Sequence, residues 1–424
     1  MLKAYRLLTL IALPLIGLWL LIRTRKGKED AARGGERWGK SKLPRPAGSL
    51  VWVHAASVGE VNSVLPLISK MVELYPSLHV LITSGTVTSA QLLENRLPER
   101  CVHQYAPVDH PLAVHAFLDH WKPNLALWAE SELWPNLVTE ARARGCQLVL
   151  LNARMSEKSY SRWAQFRGLI EPMLHSFLAV FPQSARDADR FKMLGAKDVR
   201  MLGNLKLDAP PLPCNMALLT ALKHLIGERP VWLGASTHPG EEIQLASIHL
   251  GLKAHYPNLL TIIVPRHAER GKALASELIG AGLSVARRSA GETPLPYTDI
   301  YLADTMGELG LFYRLADIVF IGGSLVPHGG QNPLEPARLD CAILCGPHME
   351  NFQDVCDEMI TQRALGRVTN AEQLAQAVHA LFQDTGRRTW LIQSAHGYID
   401  SRGGVIDKML TTLKPMLEQL NRPA

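Results

Sequence analysis

Short apolar runs alternate with helix-length segments through most of this 424-residue chain, and the alternation stops and restarts once. Such runs need cover on both faces, which is the pattern of a parallel sheet with helices on either side. The first unit is the clearest. Residues 50–53 are apolar, small residues Ala55, Ala56, Ser57 and Gly59 follow, and Val61, Val64, Leu65, Ile68 and Met71 then recur at helical spacing. Further strands are predicted at 80–83, 101–105, 125–128, 147–151 and 178–181. Ala209-Pro-Pro-Leu-Pro213 can continue neither a helix nor a central strand, so a domain boundary falls there. Strands then resume at 231–233, 260–264, 300–303 and 318–321. The reading is two Rossmann-like domains, 29–208 and 209–400, whose strand ends face one another across a cleft. Residues 401–424 form a last helix able to cross back to the first domain.

A chain this long exceeds a single core. Hydrophobic residues make up 47% and charged residues 20%, as in a globular protein. The net charge of +6 suits a phosphorylated substrate, an anionic membrane or nucleic acid. No stripe of aromatic and basic residues supports nucleic acid, which is set aside as a partner. The 6 cysteines form no CxxC pair and mostly lie in apolar runs, as reduced core residues of a cytoplasmic protein do. Residues 7–22 are almost all apolar, broken by Thr9, Pro14 and Gly17. As one helix they reach roughly 24 Å, somewhat short of a bilayer core. Lys3 and Arg6 precede them; Arg23, Arg25, Lys26 and Lys28 follow. With no A-x-A cleavage site, residues 1–28 are expected to be a single uncleaved membrane anchor with the body on the cytoplasmic side. A helix packed on the protein's own body is the alternative. Glu36-Arg-Trp-Gly39 is expected at the membrane interface.

Polar clusters follow the predicted strands, where ligands bind in such sheets. Glu60 opens the first helix, as a partner of the helix dipole or as a base at the mouth of a cleft. Ala129-Glu130-Ser131-Glu132, Asn152-Ala153-Arg154 and Gly203-Asn204-Leu205-Lys206 end later units. In the second half, Ser236 and Thr237 precede a helix and are either phosphate contacts or ordinary caps. Arg266, after Pro265, can pair with a phosphate or sit on the surface as a charge. Glu335, after Asn332, Pro333 and Leu334, can accept ribose hydroxyls or favour a helix dipole. No G-x-G-x-x-G or G-x-x-x-x-G-K-[ST] is present, which disfavours a dinucleotide dehydrogenase or a P-loop enzyme. Asp187-Ala188-Asp189 lies in a helical run where residues two apart do not share a face, and the histidines lack ligand spacing, so no metal site is expected.

Seven motifs in order resemble one family: His-Ala-Ala-Ser-Val-Gly-Glu60, Trp-Ala-Glu-Ser-Glu-Leu-Trp-Pro135, Asn-Ala-Arg154, Gly-Asn-Leu-Lys206, Gly-Ala-Ser-Thr-His-Pro-Gly-Glu241, Val-Pro-Arg-His267 and Asn-Pro-Leu-Glu-Pro336. The chain is similar to the 3-deoxy-D-manno-octulosonic acid (Kdo) transferases from the anchor to about Phe352. The resemblance implies an inverting, metal-independent GT-B glycosyltransferase with no cofactor, anchored on the cytoplasmic face of the inner membrane. It implies transfer of Kdo from CMP-Kdo to the lipid A precursor. It assigns the general base to Glu60, and transition-state stabilisation to Glu130 and Lys206. CMP contacts fall to Pro265, Arg266, Gly307, Glu308, Leu309, Asn332, Pro333, Leu334 and Glu335. One departure is Gln331, where the family usually has His. The rival readings are another GT-B lipid glycosyltransferase with a different nucleotide sugar, and a membrane-tethered nucleotide-binding scaffold without chemistry.

Overall fold

A computed structural model describes residues 1–421. The last three residues of the predicted 401–424 segment lie outside the described residues. The chain divides into two compact units, Met1–Ala209 with the segment from Gly404 onward, and Pro210–Gly403.

Unit 1 holds one sheet of β1 (Leu50–His54), β2 (His79–Ser84), β3 (Cys101–Tyr105), β4 (Leu125–Ala129), β5 (Gln147–Ala153) and β6 (Phe177–Pro182). Its order is β3-β2-β1-β4-β5-β6, and every pairing is parallel. Alternate residues of β1 enter different cores: Val51 and Val53 one, Leu50 and Trp52 the other. That is the two-faced burial the apolar runs predict. Because the order reverses between β1 and β4, the loops after these two strands flank the sheet's switch point, where a crevice forms. The helix Val405–Leu420 closes one face, sharing a core with the helix that follows β1.

Unit 2 holds β7 (Val231–Thr237), β8 (Leu260–Pro265), β9 (Val285–Arg287), β10 (Ile300–Leu302), β11 (Ile318–Ile321), β12 (Ala342–Cys345) and β13 (Gly366–Arg367). Its order is β13-β12-β11-β7-β8-β10-β9, again all parallel. Here β7 and β11 flank the switch point. The sequence reading omits β9 and β13, half-exposed strands at the two sheet edges that carry no apolar run, and β12, which is apolar throughout.

The segment expected to be an anchor is not a single helix. It consists of α1 (Leu2–Ile11) and α2 (Leu13–Arg25), bent by 63° at Ala12. No single helix among the described residues is long and apolar enough to cross a membrane. The break has a local cause: Pro14, in the first turn of α2, cannot donate to a preceding carbonyl, and its ring crowds the turn before it. α1 is also tied to unit 1 by polar contacts. The Tyr5 hydroxyl donates to Asp109 at 2.9 Å, Arg6 pairs with Glu140 at 2.6 Å, and Asn136 donates to the Thr9 hydroxyl at 3.1 Å.

The Glu36-Arg-Trp-Gly39 segment packs on unit 1. Glu36 accepts from Tyr105 N at 2.7 Å, Trp38 meets the His110 ring edge-on, and the largely covered Arg37 donates to the Ala106 and Gly85 carbonyls. A Cβ on Gly39 would stand 2.1 Å from the Ala113 carbonyl oxygen, so glycine is needed for this close approach. The cations meet backbone carbonyls that strand ends leave open, which a linear reading cannot see.

Candidate active site

In unit 1 the site begins at the end of β1. Ser57 caps α3 (Val58–Leu74), accepting from Glu60 N, and Glu60 reaches back in return. One carboxylate oxygen accepts from Ala56 N at 2.8 Å and the other from the Ser57 hydroxyl at 2.9 Å. This is a variant of the capping box in which the carboxylate reaches the N–H one residue before the cap, so the helix-cap role of Glu60 is real. It is not the whole account. The residue is only 8% exposed, and its pKa is raised to about 7. Burial is the main cause, the Glu130 charge the next, and the two hydrogen bonds oppose them. A surface cap would stay ionised far below that.

Glu130 follows β4 on the opposite side of the switch point, in a left-handed conformation at φ 54°. Its carboxylate pairs with Lys206 at 2.6 Å, both side chains being largely covered. One distant motif and the lysine's own hold its backbone in place. Asn152, at the end of β5, accepts from Leu205 N at 2.9 Å, and Asn204 accepts from Lys206 N at 3.0 Å. The structure therefore gathers Glu60, Glu130 and Lys206, which span 147 positions in sequence (60 to 206), at one sheet edge. Asp187 sits elsewhere and is used structurally: it accepts from Met155 N at 2.7 Å and from the Ser184 hydroxyl at 2.8 Å.

In unit 2 the predicted phosphate cradle at Ser236 and Thr237 is displaced. β7 runs on to Thr237, so both residues are buried at the strand's end rather than in the turn before the helix Glu241–Lys253. The Thr237 hydroxyl donates to Glu242 at 3.1 Å. Glu241 takes up the local N–H groups instead. Its carboxylate accepts from His238 N at 2.9 Å, Gly323 N at 2.6 Å, and Ser324 N and Leu325 N at 3.0 Å each. The N–H groups beside the predicted cradle, at His238 and in the loop after β11, are thus held by an internal anion.

Around this knot lie the remaining candidates. Arg266 follows Pro265, is exposed, and makes no side-chain hydrogen bond among the described residues. The His238 and His328 rings stack at 4.3 Å, with His267 edge-on at 6.1 Å. Burial first, then the neighbouring rings and Arg266 and Arg270, lower the His238 pKa to about 4. Gln331 meets His238 Nε2 at 3.2 Å. Asn332 accepts from Leu334 N at 3.1 Å and donates to Glu335 at 3.2 Å, so Asn332-Pro333-Leu334-Glu335 is a self-braced turn. Glu308, between Gly307 (φ 83°) and Leu309, pairs with Arg288 at 2.8 Å, which lowers its pKa. Arg288 stands in no motif, and only the fold brings it beside Glu308; His328 opens the glycine-rich loop that leads to Gln331 and Asn332, and the fold adds its stacking on His238.

Residues 32–209 match the profile of the 3-Deoxy-D-manno-octulosonic-acid transferase (kdotransferase) family. The chain is 36% identical over 388 residues to a 3-deoxy-D-manno-octulosonic acid transferase of Rickettsia bellii, covering 92% of each chain. Among solved structures, the C-terminal CMP-Kdo binding domain of WaaA from Acinetobacter baumannii is 34% identical, covering 44% of this chain and 99% of that one, at a TM-score of 0.42. A putative UDP-N-acetylglucosamine 2-epimerase from Listeria monocytogenes shares the fold at a TM-score of 0.58 and 15% identity, covering 89% and 99% of the two chains. With seven motifs in order and near full-length similarity, this chain belongs to the 3-deoxy-D-manno-octulosonic acid transferase family of glycosyltransferases.

Proposed function

We propose that the chain transfers Kdo from CMP-Kdo to a hydroxyl of the lipid A precursor, with inversion and without a metal ion, as a GT-B enzyme on the cytoplasmic face of the inner membrane. The observation that carries this reading is the Glu60 carboxyl, covered yet bonded to two donors, with a proton affinity near neutrality. A general base works best when it is ionised at the working pH and still basic enough to take a proton. As the acceptor oxygen bonds to the anomeric carbon, its proton passes to Glu60. The bond from that carbon to the CMP phosphate oxygen breaks, and CMP leaves with the electron pair. The Glu130–Lys206 pair supplies a fixed charge array at the same sheet edge.

Arg266 suits the CMP phosphate, and Asn332 with Glu335 suits the ribose. Arg266→Ala is expected to weaken CMP binding by about 10- to 100-fold in calorimetry, the worth of one charge-assisted contact. Its melting temperature should not move, because the side chain is exposed. Unchanged affinity would remove Arg266 from the nucleotide site.

The direct test is product analysis with purified full-length protein, CMP-Kdo and lipid A precursor, with and without EDTA. Kdo-bearing lipid in both arms supports the proposal. Turnover with UDP-sugars instead would point to another lipid glycosyltransferase, and nucleotide binding without turnover to a scaffold.

α1 and α2 leave Leu7, Leu8, Ile11, Leu15, Leu18 and Trp19 exposed, and Arg23 and Arg25 end the second helix. We read this bent pair as lying in one leaflet, with the exposed Arg25 at anionic headgroups. Leu8→Asp with Leu15→Asp is expected to lower the vesicle-bound fraction at least tenfold in flotation with anionic phospholipid, on the order of the cost of two charges in an apolar layer. Transfer to detergent-dispersed acceptor should stay within about twofold. Undiminished flotation would refute the assignment of this surface.

A further inference from the structure

A series of contacts runs from the segment after the anchor to Glu60, and it does not follow the chain. At the end of α2, Arg23 donates to Glu29 at 2.6 Å. Glu29 also receives Arg37 through both oxygens, at 2.8 and 3.2 Å. The other faces of the Arg37 guanidinium donate to the Ala106 carbonyl at 3.0 Å and the Gly85 carbonyl at 2.6 Å. Gly85 N in turn donates to the Ala56 carbonyl at 2.8 Å, and Ala56 N donates to Glu60 at 2.8 Å. One side chain thus closes on the loops after β2 and β3, and the first of these holds the loop that grips the proposed base.

The packing at this point leaves little slack. A Cβ on Gly85 would stand 2.9 Å from the Ala56 carbonyl oxygen, so the two loops touch along their backbones. The Arg37 side chain is 11% exposed, and a second arginine reinforces the segment. Arg33 donates to the His103 carbonyl at 3.0 Å and pairs with Glu36, which accepts from Tyr105 N. A planar guanidinium satisfies several acceptors at fixed angles, which an ammonium cannot do.

We propose that Arg37 is a positioning residue for Glu60, acting through Gly85 and Ala56, so that the segment joining the anchor to the first domain sets the geometry and proton affinity of the base. This rests on the reading of Glu60 as that base. The groups facing the Glu60 carboxyl are Ala56 N and the Ser57 hydroxyl on its own turn, and Glu130 and Glu132 on the loop after β4, with Lys206 paired to Glu130. The Ala56 N–H favours the carboxylate, so loosening it moves the pKa of Glu60 upward. The base is then ionised only at higher pH.

The test is the pH dependence of kcat for the full chain in detergent with CMP-Kdo and lipid A precursor. Arg37→Lys keeps the charge and loses the fork. It is expected to lower kcat about tenfold at pH 7, to leave the KM for CMP-Kdo within about twofold, and to move the acidic limb up by roughly one pH unit. Gly85→Ala pushes on the same contact from the other side without touching Arg37, and should move the limb in the same direction. It keeps the test open if the arginine variants fold poorly. A lower melting temperature with an unmoved limb in both variants means that Arg37 is merely structural, and the proposal is wrong. Glu60→Gln separates the two readings. If that variant retains activity, the base assignment itself fails; if it is inactive while both limbs stay put, only the positioning role fails.

Discussion

Glu60→Gln is expected to cut kcat by about 10²- to 10⁴-fold while leaving CMP affinity within about twofold. The amide keeps the shape of the cap but cannot accept the acceptor's proton at any pH. Binding of CMP should persist, because the proposed nucleotide contacts belong to unit 2. The wild-type rate should fall as pH drops through about 7, where Glu60 becomes protonated, and the variant's residual rate should lack that limb. Stability should move the other way. The pKa of Glu60 is raised above its ordinary value of 4.5, so the folded state holds the proton more tightly than the unfolded chain does. Folding is therefore favoured below the ordinary value and loses stability as pH rises from about 4.5 to 7, by an amount on the order of 3 kcal/mol. Above that window the glutamine variant, neutral and still able to cap, should melt higher than wild type. A variant that is both active and less stable at pH 8 would show Glu60 to be a cap and nothing more.

The second large effect is on folding. Glu241→Ala removes the acceptor for four backbone N–H groups, three buried at His238, Gly323 and Ser324 and one half-buried at Leu325. Each buried donor left without a partner costs about 1–3 kcal/mol, and water entering the gap recovers part of it. The net expectation is about 4 kcal/mol, which for a unit of this size lowers its melting temperature by roughly 10 °C. CMP affinity should drop as well. The same carboxylate ties the end of β7, with His238, to the loop after β11. Differential scanning calorimetry of the full chain with and without CMP reads both effects. A shift of less than about 2 °C would mean that water or a neighbour satisfies these donors equally well.

Much of this architecture was legible from local pattern. The run that became β1 is apolar at every position because the sheet is covered on both faces, and Pro210, Pro211 and Pro213 mark the division because proline leaves a backbone that neither helix nor sheet can use. Ser57 and Glu60, three apart, announce a capped helix start by their spacing alone. The edge strands β9 and β13 are not legible, because a strand with one neighbour and a half-exposed face needs no apolar run. Ser236 and Thr237 were misplaced for a different reason. A turn was read at the glycine, but the strand continues through Gly234, where its small side leaves room for Leu245.

Taken alone, the order of residues determined two parallel α/β sheets, their helix starts and the family's set of motifs, because each of these depends on neighbours a few positions apart. Tertiary structure decided what the charged groups do. It made Arg37 a clamp on carbonyls and Glu241 the internal anion of unit 2. It also raised Glu60 towards neutrality by burying it near Glu130. Proton affinity and pairing depend on desolvation and on charges brought close by the fold, and neither quantity exists until the chain has closed around them.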